Sequence, residues 1–253
     1  MSGRVNKTGW VALVAAVMAV MLLGRAASAN PSLVAHEATY KIKISLLGGT
    51  LRTVVAESKN GFTATSVISP TGFANILLNG SIEESATFSV GSNGLRPEVY
   101  RSADTLSKTD KFMDFTFDWD ENAVTANIND EPYVFALDGS VRDRVSIQYE
   151  LMYNLANNIS NSHYVLLDGD RLKQIQITTI GKKTIKTPFG SFEAVGIQHQ
   201  AKDSTRISTL WCAEELGFLP VLIEQHRKGK RRVRAILTSY VPSRELASEQ
   251  SDN

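Results

Sequence analysis

YKIKISLLGGTLRTVVAESKNGFTATSVIS, residues 40–69, decides the fold. Tyr40, Ile42, Ile44 and Leu46 alternate with Lys41, Lys43 and Ser45, and Phe62, Ala64, Ser66 and Ile68 alternate after Asn60-Gly61. A period of two places successive side chains on opposite faces, the pattern of a strand with one buried side. The stretch therefore reads as strands separated by turns at Gly48-Gly49 and Asn60-Gly61.

The rhythm continues on both sides. Ile82, Glu84, Ala86 and Phe88 run towards GSNG (91–94); Phe115, Phe117 and Trp119 precede DEN (120–122), after which Val124, Ala126 and Ile128 return. Further turns fall at LDGD (167–170), KTPFGS (186–191), EELGF (214–218) and RKGK (227–230). These features predict a mainly β protein, a strongly curved antiparallel sheet or incomplete barrel built of successive hairpins. One segment breaks the pattern. In GSVRDRVSIQYELMYNLANNIS (139–160), Val141, Val145, Met152, Leu155 and Ile159 recur at near-helical spacing and Ser140 is placed to cap, which predicts one amphipathic helix over about 141–158, packed across the sheet. A second apolar segment, SPTGFANILLNG (69–80), reads as a loop or short helix whose Phe73, Ile76, Leu77 and Leu78 should be buried or in contact with something. No repeat or linker divides the chain. A single β-rich domain is expected over 33–242, followed by a polar, disordered tail over 243–253.

The first residues read as a leader rather than as fold. Arg4 and Lys7 precede the apolar run VALVAAVMAVMLL, and Ala27-Ser28-Ala29 has the small-x-small pattern of a cleavage site. The run falls short of the ~20 residues needed to span a bilayer, so a cleavable signal peptide over 1–29 and a periplasmic product are expected. Basic and acidic residues number 27 and 26 in the full chain, a balance that gives no global attraction to nucleic acid. Cys212 is the single cysteine, so the domain has no intramolecular disulfide.

The stretch RISTLWCAEELGFLPVLIEQH (206–226) concentrates reactive residue types. Folded as a hairpin about Leu216, it puts Pro220 opposite Cys212 and His226 opposite Arg206. At ~3.3 Å per residue, His226 then lies about 20 Å from Cys212, whereas a thiol–imidazole pair needs about 2.6–3.2 Å. Cys212 reads as a core residue. Asp118, Asp120 and Asn122 open like a calcium loop, but Ala123 stands where glycine is required and Asn129 where glutamate is required. His36, His163, His199 and His226 are scattered, and the glycines form neither a phosphate loop nor a dinucleotide fingerprint. The sequence thus selects no catalytic residues, no metal and no cofactor. HRKGKRRVR (226–234) reads as a basic hairpin tip, with Lys228, Lys230, Arg231 and Arg232 placed to meet an anionic membrane surface.

FTFDW (115–119), RLKQIQITTIGKKTIKTPFGSFEAVGI (171–197) and STRISTLWCAEELGFLPVLIEQHRKGK (204–230) resemble the bacterial exported family known as domain of unknown function 3108. The resemblance covers about residues 35–240, with Thr187-Pro188-Phe189-Gly190 plus Phe192, Thr209 to Trp211 and Leu219-Pro220-Val221 the most specific pieces. It implies an envelope protein on a curved antiparallel sheet, similar to folds that shelter acyl chains, and supplies no catalytic residues. The reading that follows is a non-enzymatic envelope protein binding a lipid or other hydrophobic component. Phe73, Ile76, Leu77 and Leu78 would stand at the mouth, with Met152 and Leu155 on the helix. A scaffold protein with a packed interior, and a hydrolase or glycan-modifying enzyme, are the alternatives.

Overall fold

The computed structural model describes residues 33–91, 94–139, 141–202 and 204–243, without the side chain of Leu77. The leader, Ser140 and the tail beyond Ser243 lie outside these residues. The first half is an antiparallel meander of β1 (His36–Ile44), β2 (Leu47–Ser58), β3 (Gly61–Pro70), β4 (Ile82–Gly91), β5 (Gly94–Asp104), β6 (Lys111–Asp118), β7 (Ala123–Ile128) and β8 (Glu131–Ala136). A two-residue strand, β9 (Val141–Arg142), follows and runs parallel to the next one. The second meander is β10 (His163–Asp168), β11 (Arg171–Lys186), β12 (Ser191–Ala201), β13 (Arg206–Ala213), β14 (Leu219–Arg227) and β15 (Lys230–Pro242). Pairing of β1 with β15 joins the halves into one fifteen-stranded sheet with β8 and β9 as its edges.

That sheet is strongly curved. In strand order eight strands separate β4 from β10, a separation of about 43 Å in a flat sheet at ~4.8 Å per strand. Yet the single guanidinium of Arg144 reaches both, with Nη1 3.3 Å from Glu84 Oε1 and Nε donating to Asp168 Oδ1 at 2.8 Å. The curled sheet remains open, because β8 pairs only with β7 and β9 only with β10 among the described residues. The β8 edge carries Pro132, which has no N–H to offer a further strand.

Among the described residues, a 3₁₀ turn at Glu214–Leu216 and two short α-helices complete the architecture. The helices are α1 (Phe73–Leu77), between β3 and β4, and α2 (Ser146–Ala156), between β9 and β10. The start of α2 differs from the expected helix over 141–158. Val141 and Arg142 are spent on pairing with Val165 and Leu166 of β10, and Asp143 then caps the helix. Its Oδ1 accepts the N–H groups of Val145 and Ser146, each at 2.8 Å, which satisfies donors that the first turn leaves open. Desolvation raises the Asp143 carboxyl above the usual carboxylate range.

α2 lies inside the curl and is covered on two sides rather than one. Tyr149, Met152 and Tyr153 join the main core, where Tyr149 stacks on Phe88 of β4 at 5.5 Å. Leu151 packs into a second cluster with Tyr164, Ile175, Ile197, Leu210 and Cys212 of the other half, and partly buried Leu155 packs against it. Fully burying an aliphatic side chain is worth about 1.5–3 kcal/mol, so the helix cements the two meanders together. A buried ion pair secures its base: Arg142 Nη2 donates to Glu150 Oε1 at 3.1 Å, Nε donates to Oε2, and Nη1 donates to the carbonyls of Gly139 and Val141.

The structure corrects one expectation about turns. Gly48 and Gly49 do not make the first turn; that role falls to Ser45, at φ 54°, and Leu46, while both glycines belong to β2. A Cβ on Gly49 would sit 2.7 Å from the Ser69 carbonyl oxygen, so glycine is present there for close strand approach. In the apolar loop, expected to be buried or in contact with something, the described side chains divide. Phe73 is 72% exposed and Ile76 79%, Leu78 is half-buried, and Ala74 is the residue that faces inward.

The hairpin over 206–226 keeps Cys212 opposite Pro220. A bulge between Trp211 and Cys212 then shifts the register, and His226 faces Ile207 instead of Arg206. Cys212 is buried, and desolvation pushes its thiol up to about 12. At neutral pH it is a small packing group rather than a nucleophile. Cys212→Ser should cost ~1–2 kcal/mol, because its hydroxyl lacks a partner beside Leu151 and Leu210, and Cys212→Ala should cost less. Thermal melts of the two variants check this; a serine variant as stable as the parent would mean that the site is wet.

Candidate functional site: the open lower end of the sheet

Strand register sorts the connections into two ends. Turns at 45–46, 71–81, 105–110, 129–130, 169–170, 202–205 and 228–229 share one end, termed lower here. α2 runs from the Arg142–Glu150 pair towards a recess of the upper end and fills the concavity there. Below its first turn, the concave side opens into a basin of about 890 Å³.

Alternation explains the lining. On β13, Leu210 and Cys212 pack towards α2, so Ser208 and Arg206, two and four residues before Leu210, face the same way. Ser208 pairs with His199 of β12 and with Gln225 of β14, and Arg206 pairs with Arg227. On β11, Ile175 points into the same cluster, which places Lys173 and Arg171 on the concave side below it. Arg144, Arg171, Lys173, Lys202, Arg206 and Arg227 thus surround the basin, and among the described residues Asp168 is the one carboxylate in its lining, with Asp170 just outside it 3.4 Å from Arg171. Leu166, Ile175 and Ala201 give it an apolar floor.

The acid is already committed. Arg144 and Lys173 both bond to Asp168; burial pushes its carboxyl up, but their charges outweigh that push and hold it below the usual carboxylate range. Arg144 also touches Glu84, which accepts from Tyr100 Oη at 2.6 Å. Arg206 and Arg227 are different. They stand directly opposite each other across β13 and β14, a like-charge arrangement that destabilises a sheet unless something anionic lies between the two. His199 adds polarity without charge, since burial lowers its imidazole to about 4. An adjoining recess of about 440 Å³ shares Arg144, Asp168, Arg171 and Lys173 and extends towards β6 and β8, where Glu131 and Asp170 join Lys111 and bring the charges close to balance.

The upper end holds a smaller recess of about 290 Å³, lined by Met152, Tyr153, Leu216, Phe218, Tyr240 and His36. His36 Nδ1 bonds to the Val34 carbonyl at 2.7 Å, while Nε2 has no partner among the described residues. Among the described residues no group of three or more His, Cys, Asp or Glu is arranged to hold a metal ion. Asp118 Oδ1 instead accepts the N–H groups of Asp120 and Glu121 and closes a turn.

The family model for a protein of unknown function, DUF3108, matches residues 36–233. The chain belongs to the DUF3108 family. The family-specific Thr187-Pro188-Phe189-Gly190 segment is the turn between β11 and β12, where Thr187 Oγ1 accepts the N–H groups of Phe189 and Gly190 at 3.1 and 3.0 Å. Among solved structures, this DUF3108 chain is similar to the β-barrel-like DUF1849 protein of Brucella abortus, at 12% identity and TM-score 0.55, covering 84% of this chain and 99% of that one. Two further matches are a candidate exported protein with a YmcC-like fold from Bacteroides fragilis (14% identity, TM-score 0.34, 83% and 97% coverage) and a candidate lipoprotein from Parabacteroides distasonis (11%, 0.32, 83% and 96%). No protein of curated function matches the chain in sequence.

The residues singled out from the DUF3108 sequence are distributed, not gathered. Phe73, Ile76 and Leu78 stand at the lower end, Met152 lines the upper recess, and Leu155 packs against the second core cluster. The side chain of Leu77 lies outside the described ones. In the basic hairpin, Lys228 and Gly229 form a tight turn with φ 51° and 70°, and Lys228, Lys230 and Arg232 are exposed. Arg231 is drawn back to Glu224 at 2.9 Å. The basin cations went unnoticed in the sequence because they come from five separate segments. The one local signal was the pair of arginines flanking the 206–227 hairpin.

Proposed function

We propose that this protein is a non-enzymatic cell-envelope protein, exported by its leader, that binds an anionic amphiphile with the headgroup in the lower basin. The supporting observation is the cationic surplus among the described residues of a concavity with an apolar floor: six basic side chains surround it, Asp168 is neutralised by Arg144 and Lys173, and Arg206 and Arg227 face each other with no acidic partner among the described residues. Arginine suits this role because its planar fork pairs with phosphate or carboxylate oxygens two at a time. The apolar strip of Leu166, Ile175 and Ala201 suits the first methylenes of a chain, each worth about 0.8 kcal/mol when removed from water. A long chain would extend through the open mouth, since α2 fills the space above. Compared with the sequence expectation of an apolar mouth at Phe73, Ile76, Leu77 and Leu78 with Met152 and Leu155 on the helix, the recognition element in this reading is the charged head.

The test is titration of a monoacyl phosphate, such as lysophosphatidic acid below its micellar concentration, against the uncharged monoacylglycerol of the same chain length. The phosphate should bind at least tenfold more tightly, with an affinity that falls as salt rises. Arg206→Gln/Arg227→Gln should erase most of that preference while leaving the melting temperature unchanged or raised, because a like-charge pair is removed. Equal affinity for the two probes would refute the headgroup site.

A further inference from the structure

We infer that the lower rim beside the basin is a docking face for an anionic bilayer. It extends the headgroup reading, but rests on different residues. Three connections of the lower end touch in series. Ser45 donates its N–H to the Arg232 carbonyl at 2.7 Å, which ties the β1–β2 turn to β15. Thr71 donates to the Gly48 carbonyl at 3.1 Å, which ties the same turn to the segment carrying α1. The result is a continuous surface of the segments 45–48, 71–80 and 228–232.

Its composition is one-sided. SLLG, TGFANILLNG and KGKRR contain no acidic residue. Leu46 is 90% exposed, Ile76 79% and Phe73 72%, the three most exposed large apolar side chains of the described residues, tied with Val134 of β8 for the last place. Scattered exposed apolar residues need no explanation, but a contiguous group does. Lys228, Lys230 and Arg232 flank it, while Arg231 and, further along β15, Arg234 are held by Glu224. Apolar side chains that can enter the interfacial region, bordered by cations with no acid among them, are complementary to a leaflet of anionic lipids. A protein partner would have to match the same edge with an acidic rim around an apolar centre; the bilayer offers both without a specific shape. Docked this way, the mouth of the basin faces the lipid headgroups, because all the segments involved share the lower end of the sheet.

Co-sedimentation with vesicles tests the proposal in the mature chain. Vesicles of phosphatidylcholine with a third phosphatidylglycerol should retain the protein at low salt, and vesicles of phosphatidylcholine alone should not. Near the surface each exposed cation contributes about fivefold, so Lys228, Lys230 and Arg232 together give roughly a hundredfold preference, lost at high salt. Phe73→Ser/Ile76→Ser should reduce vesicle binding at least tenfold with unchanged melting temperature, and should keep the affinity for soluble monoacyl phosphate. Equal binding to both vesicle types, or undiminished binding by the serine variant, overturns the docking face. Retention of monoacyl phosphate binding with no vesicle binding at all would also overturn it, while leaving the basin reading intact. A dimer abolished by the serine substitutions, without vesicle binding, would assign the patch to a second copy and overturn the proposal as well.

Discussion

Glu150→Ala should lower stability by about 3–5 kcal/mol, a drop in melting temperature of roughly 10 °C for a domain of this size. Arg142 and Glu150 are each only 6% exposed, so removing the carboxylate strands a guanidinium in the base of the core, held by the Gly139 and Val141 carbonyls alone. Desolvation pushes the Glu150 carboxyl up against the pull of Arg142, so burial opposes the pairing. The double substitution Arg142→Met/Glu150→Leu removes both charges at similar volume and should melt near the parent. Calorimetry on the three proteins separates the possibilities. A single variant as stable as the parent would mean the pair is solvated; a double variant as unstable as the single would place the contribution in the carbonyl bonds.

The second large effect is expected at Trp211. Trp211→Ala should cost about 3–5 kcal/mol, because the indole is 7% exposed and its neighbours are shaped around it. Lys183 Nζ lies 3.8 Å from the ring centre. Across the strand, Gly196 leaves the room the ring occupies: a Cβ there would come within 2.7 Å of the ring and 2.6 Å of Ile180. With the indole gone, no side chain on Gly196 can fill the cavity. A denaturant midpoint that does not move would show that this face of β12 and β13 is open to water.

The strand content was legible in the sequence because alternation is a local property, and the turns at 228–229 and 217–218 announced themselves through glycine. Gly48 and Gly49 misled for a physical reason: glycine marks close backbone approach as well as turns, and composition does not distinguish the two. The helix was legible as a break in rhythm, but not its start, because the β9 pairing that consumes Val141 and Arg142 depends on Val165 and Leu166, more than twenty residues on. Its amphipathic appearance concealed burial on two faces, since Tyr149 and Glu150 carry polar atoms that burial satisfies or tolerates. The basin was illegible altogether. Arg206 faces Arg227 only because of the bulge at Trp211/Cys212; with regular pairing about Leu216, His226 would stand there and the two charges would not meet.

The strand order also governs how the chain can reach this fold. β1 and β15, the first and last strands, are partners at the centre of the sheet, and Ser243 donates to the Ala35 carbonyl at 2.8 Å beside them. Every other antiparallel pairing joins sequence neighbours, but this one closes a loop the length of the domain, a slow step for a β protein because the closure entropy is spent before the contacts repay it. Each meander can zip locally while the seam between them waits for the C-terminus. A circularly permuted chain, joined across the seam and opened at 137–140, would order the strands from β9 through β15 and then β1 through β8, with each strand beside its successor. The native order thus makes completion of the sheet contingent on having the whole chain in one place.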